Sequence, residues 1–171
     1  MMCEKEAWFF GYGSLIFDPE YKCQKLKDWC EQPIDGQIER GIEFLHTSKS
    51  RGGAPTLCFD GSKRITKGKC WRAVGDENIK RAKDYLIKRE GKIKCIEVTL
   101  FDGRKVKAYC GYNDPDLKGK SAKEIAKQAL ESENKACKGR GGVTYIKNCR
   151  CFKITTPMIN EILQEIDNVR E

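Results

Sequence analysis

Histidine is nearly absent from this chain: His46 is the only one in 171 residues. A mixed Cys/His metal site could draw on a single imidazole. None of the ten cysteines stands at the Cys-x-x-Cys spacing of zinc-binding motifs, so no metal is expected. No stretch approaches the ~20 apolar residues needed to span a bilayer. The N-terminal Met1-Met2-Cys3-Glu4-Lys5-Glu6 has no basic segment leading into an apolar run, so no secretory leader is expected and the cytoplasm is the default compartment. Disulfides are then not expected. The thiols read as free: Cys58, Cys70, Cys95 and Cys110 as small buried hydrophobes in predicted strands, and Cys149 and Cys151, flanking Arg150, as candidates for reactivity. Repeats, low-complexity tracts and linkers are missing too. So is any massed basic block: the 33 basic and 25 acidic side chains give a formal net charge of +8, but the lysines are spread along the whole chain. Aromatic interleaving of the kind that stacks single-stranded bases is also lacking. The charge reads as a solvated lysine-rich surface, and neither nucleic acid nor membrane is expected as a partner.

What is present is length enough for one domain with a substantial core, residues 1–171. Near its start stands Trp8-Phe9-Phe10-Gly11-Tyr12-Gly13-Ser14-Leu15-Ile16-Phe17. The apolar run suits one buried strand, roughly residues 7–10, and it breaks into a turn with two glycines around a tyrosine. Glycine lets a ligand come close to the main chain, and successive N–H groups in such a turn can cradle an anion or a polarised carbonyl. An ordinary strand and tight turn would look the same.

Residues 20–30 are polar, with Leu26 and Trp29 suggesting a short helical turn. Ile34 to Thr47 reads as one strand, or two with a break near Gly41. The loop Ser50-Arg51-Gly52-Gly53-Ala54-Pro55 follows, then the short strand Thr56–Phe59 and another over 64–74. Asp76 is placed to cap a helix over 77–88 whose inner face is Ile79, Ala82 and Leu86, with Gly91 to end it. Strands 93–101 and 104–112 flank Asp102-Gly103, a two-residue hairpin signal. Ser121-Ala122-Lys123-Glu124 is a capping box opening a helix to about 131. A short helix is expected from Val143 to Cys151. Thr156 with Pro157 is expected to open a last helix with Ile159, Ile162, Leu163 and Ile166 inward. Many short strands around a few helices give an α+β class, a small mixed β-barrel with flanking helices.

The string Phe10-Gly11-Tyr12-Gly13-Ser14-Leu15-Ile16 resembles the signature of the γ-glutamylcyclotransferase superfamily, including its ChaC-like glutathione-degrading branch. Three further segments extend the resemblance in the same order: Ser48–Leu57, Ala82–Gly91 and Gly139–Ile146. The resemblance implies the same small barrel fold, with Tyr12, Gly13, Ser14 and Leu15 holding the γ-glutamyl part of a substrate. It implies Glu90, in the Arg89-Glu90 pair at the helix end, as catalytic acid/base. Without the family, that pair is only a charged helix end, although a carboxylate is poorly placed against the negative pole of a helix. Arg51 could hold a substrate carboxylate by two parallel hydrogen bonds, or simply sit in a solvated glycine loop. Tyr145 could line the pocket or pass as a core tyrosine. After Glu90 the chain departs from the glutathione-specific pattern Lys-Gly-Gly-Tyr, having Gly91-Lys92-Ile93-Lys94.

The implied activity is cyclisation of a γ-glutamyl group to 5-oxoproline, releasing an amine, an amino acid or Cys-Gly. Nucleophile and electrophile share one molecule, so no cofactor is expected and the partner is a small γ-glutamyl substrate. A non-catalytic binding or regulatory module on the same fold is the alternative. The oligomeric state is open.

Overall fold

A computed structural model describes residues 5–13, 15, 23–135 and 141–170. In chain order the elements are β1 (Glu6–Gly11), α1 (Cys23–Lys27), β2 (Ile34–Ile38), β3 (Ile42–Ser48), a 3-10 turn (Lys49–Arg51), β4 (Ala54–Phe59), β5 (Thr66–Val74), α2 (Asp76–Glu90), β6 (Lys92–Leu100), β7 (Lys105–Tyr112), α3 (Ala122–Glu133), α4 (Gly142–Cys151) and α5 (Ile159–Arg170). They fall into two compact units, Met1–Glu39 with Lys63–Asn113, and Arg40–Ser62 with Asp114–Glu171. No described helix is long and apolar enough to cross a membrane.

The first unit holds a closed barrel in the order β1-β5-β2-β6-β7. Only the β1–β7 seam is parallel; every other pairing is antiparallel. This is the mixed barrel with flanking helices that the pattern of short strands predicts. Strand alternation decides which side chains fill it. Phe9, Trp71 and Ala73 turn outward and pack with Ile79, Ala82 and Leu86 of α2, together with Leu15 and Leu26. The opposite parity therefore faces inward, where Phe10, Cys70 and Cys110 are almost wholly inaccessible.

The second unit pairs β3 with β4 as a two-stranded sheet, against which α3 and α4 pack, with α5 on the two helices. Gln128 of α3 ties to the hairpin, donating to Thr47 Oγ1 (3.1 Å) and the Gly53 carbonyl (2.8 Å). The start of α4 is received by the end of α3: Ser132 Oγ accepts the Gly142 N–H, and the Glu133 carboxylate accepts the Thr144 N–H and hydroxyl. A carboxylate suits the positive pole of a helix. His46 is structural here, its Nδ1 standing 2.8 Å from the Asp114 carbonyl oxygen.

Local signals hold where the chemistry is local. The Ser121–Glu124 capping box forms with both reciprocal bonds. Gly91 ends α2 at φ 87°, with its N–H on the Ile87 carbonyl. The span Ile34–Thr47 is two strands in separate sheets, broken at residues 39–41.

Four expectations change. Gly75, not Asp76, stands at the N-cap of α2, because the chain leaves β5 through a positive φ that glycine tolerates, and Asp76 falls within the first turn. The Leu100 N–H bonds the Arg104 carbonyl, so the loop between β6 and β7 is closed around residues 101–103, with Gly103 at φ 90°, one residue longer than a two-residue turn. Cys95 is exposed rather than buried, because its parity on β6 points away from the barrel interior. The last helix begins at Ile159, and Thr156 Oγ1 is buried with no hydrogen-bond partner. Its capping task falls to Glu43 of β3, whose Oε1 accepts the Met158 N–H at 2.9 Å.

Candidate active site

The carboxylate singled out by sequence, Glu90, ends α2 and is directed over β7. The reason lies in Gly111: a methyl group there would fall on Glu90 Cγ and come within 2.8 Å of its Cβ. Only a residue without a side chain lets the helix end close down on the strand. Two side chains then fix the carboxylate. Arg89 Nε donates to Oε1 at 2.9 Å, and Asn113 Nδ2 donates to Oε2 at 3.1 Å. Arg89 is 10% exposed and Glu90 23%, so the ion pair is largely covered while the carboxylate keeps access to solvent.

The turn after β1 belongs to the same end of the barrel. β1 runs parallel to β7, with Phe10 level with Cys110, so Tyr12-Gly13 and Tyr112-Asn113 leave the barrel at one end. β6 starts there as well, because Lys92 pairs with Tyr112. Gly13 adopts φ 65°, turning the chain out of the strand. Leu15 is buried in the α2-facing core, and the Tyr12 ring lies 6.3 Å from that of Phe10. Ser14 lies outside the described residues, as do residues 136–140, which take in Gly139 and Arg140 of the late glycine loop. Thus Glu90, Tyr12 and Gly13 gather at one barrel end.

Arg51 and Tyr145 come together in the second unit. Arg51 is not solvated: it is 6% exposed, with its guanidinium 5.0 Å from the Tyr145 ring centroid. Tyr145 packs edge-on against Phe44, and its hydroxyl accepts the Leu57 N–H at 3.2 Å. Cys149 lies in the same cluster. Its thiol is pushed up by burial, a rise that the Arg51 charge and a Tyr145 hydrogen bond oppose. Burial likewise pushes Cys58 and Cys70 up to about 12.

Sequence reasoning missed Asn113 and Gly111. The available signal was the glycine interrupting an otherwise apolar strand end, Cys110-Gly111-Tyr112, a mark of close approach by another element. Nothing in the sequence tied Asn113 to a carboxylate 23 residues earlier.

Comparison by sequence alone finds no matching family model and no matching curated protein. Comparison of folds does find similar structures. A yeast γ-glutamyl cyclotransferase specific to glutathione superposes with TM-score 0.70 over 96% of this chain and 97% of its own, at 14% identity. An uncharacterized human protein matches with TM-score 0.53 at 14% identity over 94% and 99%. YkqA from Bacillus subtilis matches with TM-score 0.56 at 13% identity, covering 96% of this chain but 55% of that longer protein.

Proposed function

We propose, from the γ-glutamylcyclotransferase-like fold of this chain, that it cyclises a γ-glutamyl group to 5-oxoproline and releases the attached amine, amino acid or Cys-Gly. The observation that carries the reading is Glu90: a carboxylate held by two side chains, still open to solvent, at the barrel end where the Tyr12-Gly13 turn emerges. The fold likeness supports the fold, and the sequence segments around Tyr12 and Glu90 support the chemistry.

The substrate's α-ammonium first gives a proton to Glu90. The freed amine attacks its own γ-carbonyl carbon, forming the ring C–N bond and a tetrahedral oxyanion. Backbone N–H groups of the Tyr12-Gly13 turn receive that developing charge. As the intermediate collapses, the original amide C–N bond breaks and Glu90 returns its proton to the departing nitrogen. The second proton on the attacking nitrogen also leaves with the product amine, so the net change is transfer of two protons between nitrogens. Because both reacting groups belong to one molecule, holding the folded conformer supplies much of the acceleration. Arg89 and Asn113 are positioning residues that aim the Glu90 carboxylate.

The test is release of 5-oxoproline from glutathione and from γ-glutamyl-alanine, with Glu90→Gln alongside. Release that the variant loses supports the reading and identifies the preferred leaving group. No release from either compound by folded protein would turn the reading toward a binding module.

A further inference from the structure

Two glycines stand side by side on the outward face at the Glu90 end of the barrel. Phe10 is level with Cys110, so Gly11 of β1 lies beside Gly111 of β7. Each is overlain by a side chain from another part of the chain. A methyl group at Gly11 would come within 2.6 Å of Leu15 Cδ1, just as one at Gly111 would fall 2.2 Å from Glu90 Cγ. On the other flank of β7, Ile93 of β6 is the direct partner of Gly111. Directly opposed residues of antiparallel strands hold their Cβ atoms about 5 Å apart. The Glu90 stem takes the place of a Gly111 side chain, so Ile93 is its cross-strand neighbour. Three adjoining strands thus carry a row of Leu15, Glu90 and Ile93, a carboxylate between two aliphatic side chains.

The two aliphatic flanks differ. Leu15 is 4% exposed and committed to the core beneath α2. Ile93 packs against that core only in part, which leaves apolar surface open beside the carboxylate. Ile87, within one turn of Glu90 on α2, adds further aliphatic surface and is 43% exposed. In the cyclotransferase reading the Tyr12-Gly13 turn holds the γ-glutamyl part from the β1 side, and Glu90 protonates the departing nitrogen. The substituent on that nitrogen then extends toward β6. We propose that Ile93 is a specificity-determining residue, the wall against which this substituent packs, and that the favoured leaving group is an amino acid with an aliphatic side chain. Such a wall rewards burial of an apolar group and gives a polar one no hydrogen bond in return for its lost water. The inference rests on the cyclotransferase reading and narrows its leaving group.

The experiment compares γ-glutamyl-leucine, γ-glutamyl-glutamine and γ-glutamyl-glycine, which carry the same charges and differ only in the side chain released. Release of 5-oxoproline gives kcat/KM for the wild type, Ile93→Val and Ile93→Ala. Calorimetry gives binding to Glu90→Gln with and without Ile93→Ala. The expected wild-type preference is leucine over glycine by about tenfold, with glutamine close to glycine. That ratio falls in Ile93→Val and approaches one in Ile93→Ala, and added salt leaves it as it is. Ile93→Val keeps the β-branched shape that suits a strand, so its step is read in folded protein even if Ile93→Ala loses stability. A ratio that survives both substitutions, or one that collapses as salt rises, overturns the wall. Turnover without the preference for leucine sinks the wall and leaves the cyclotransferase reading standing. Leucine-selective binding that depends on Ile93, with no 5-oxoproline from the wild type, does the reverse. Neither binding nor turnover of any compound removes both.

Discussion

Glu43 and Glu90 are both sheltered carboxylates, and the structure puts them to opposite uses. Glu43, 4% exposed on β3, accepts from two backbone N–H groups, Met158 at the start of α5 and its own neighbour Phe44. Among the described residues Glu90 is held by two side chains, Arg89 and Asn113, and it is partly exposed to solvent. Backbone donors cannot be withdrawn without unfolding a helix end, so a carboxylate committed to them is a fixture of the fold. Side-chain donors at the rim can aim a carboxylate and still leave it room to exchange a proton. Their placement on helices differs in the same sense, since Glu43 meets the positive pole of α5 whereas Glu90 lies at the negative pole of α2.

The contrast can be broken most forcefully at Glu90 itself. Glu90→Gln keeps shape and both partners within reach but removes the proton acceptor, and turnover is expected to fall about a hundredfold to ten-thousandfold. The thermal midpoint, read in the same preparation, should stay close to that of the wild type. Gly111→Ala tests whether position matters as much as identity. The added methyl group displaces Glu90 while leaving it ionisable, and a loss of about a hundredfold in kcat is expected. Wild-type kcat in that variant would remove the argument that Gly111 seats the carboxylate.

Glu43→Leu should act on stability instead. It leaves buried N–H groups unmet and lowers the unfolding free energy by about 2–3 kcal/mol, measured as a shift in the urea midpoint. Glu43→Gln, which retains an acceptor, should lose less. If Glu43→Leu unfolded at the wild-type midpoint, the division between a structural and a functional carboxylate would lose one side. The smallest effect concerns the thiols. Alkylation at pH 8 should label exposed Cys95 and Cys151 far faster than Cys58 and Cys70, whose thiols burial pushes up to about 12 and so keeps protonated. Rapid labelling of Cys70 in folded protein would mean that the barrel interior opens.

Much of this was legible without coordinates. The run Trp8–Phe10 is a strand, Ser121 with Glu124 is a capping box, and Gly91 ends the helix that presents Glu90. Each is settled by residues within a few positions of one another, where side-chain chemistry and backbone preference act directly. The misreadings have the complementary cause. Thr156 has the right chemistry for a cap, yet α5 takes its cap from Glu43, 115 residues away in sequence. Cys95 looks like any strand cysteine until the register of β6 against β7 gives it an outward direction.

The sequence by itself determined the class of fold and the order of the elements, which depend on periodicity, on turn chemistry and on short motifs whose members are neighbours along the chain. Glu90 came under suspicion only through the resemblance to the γ-glutamylcyclotransferase superfamily. The tertiary structure alone decided that Asn113 and Gly111 serve Glu90, that Arg51 is buried against Tyr145 rather than solvated, and that Ile93 is the cross-strand neighbour of Glu90. Those facts depend on strand register and helix placement, which bring together residues that share no local pattern, and a one-residue slip would have turned every one of those strand side chains the other way.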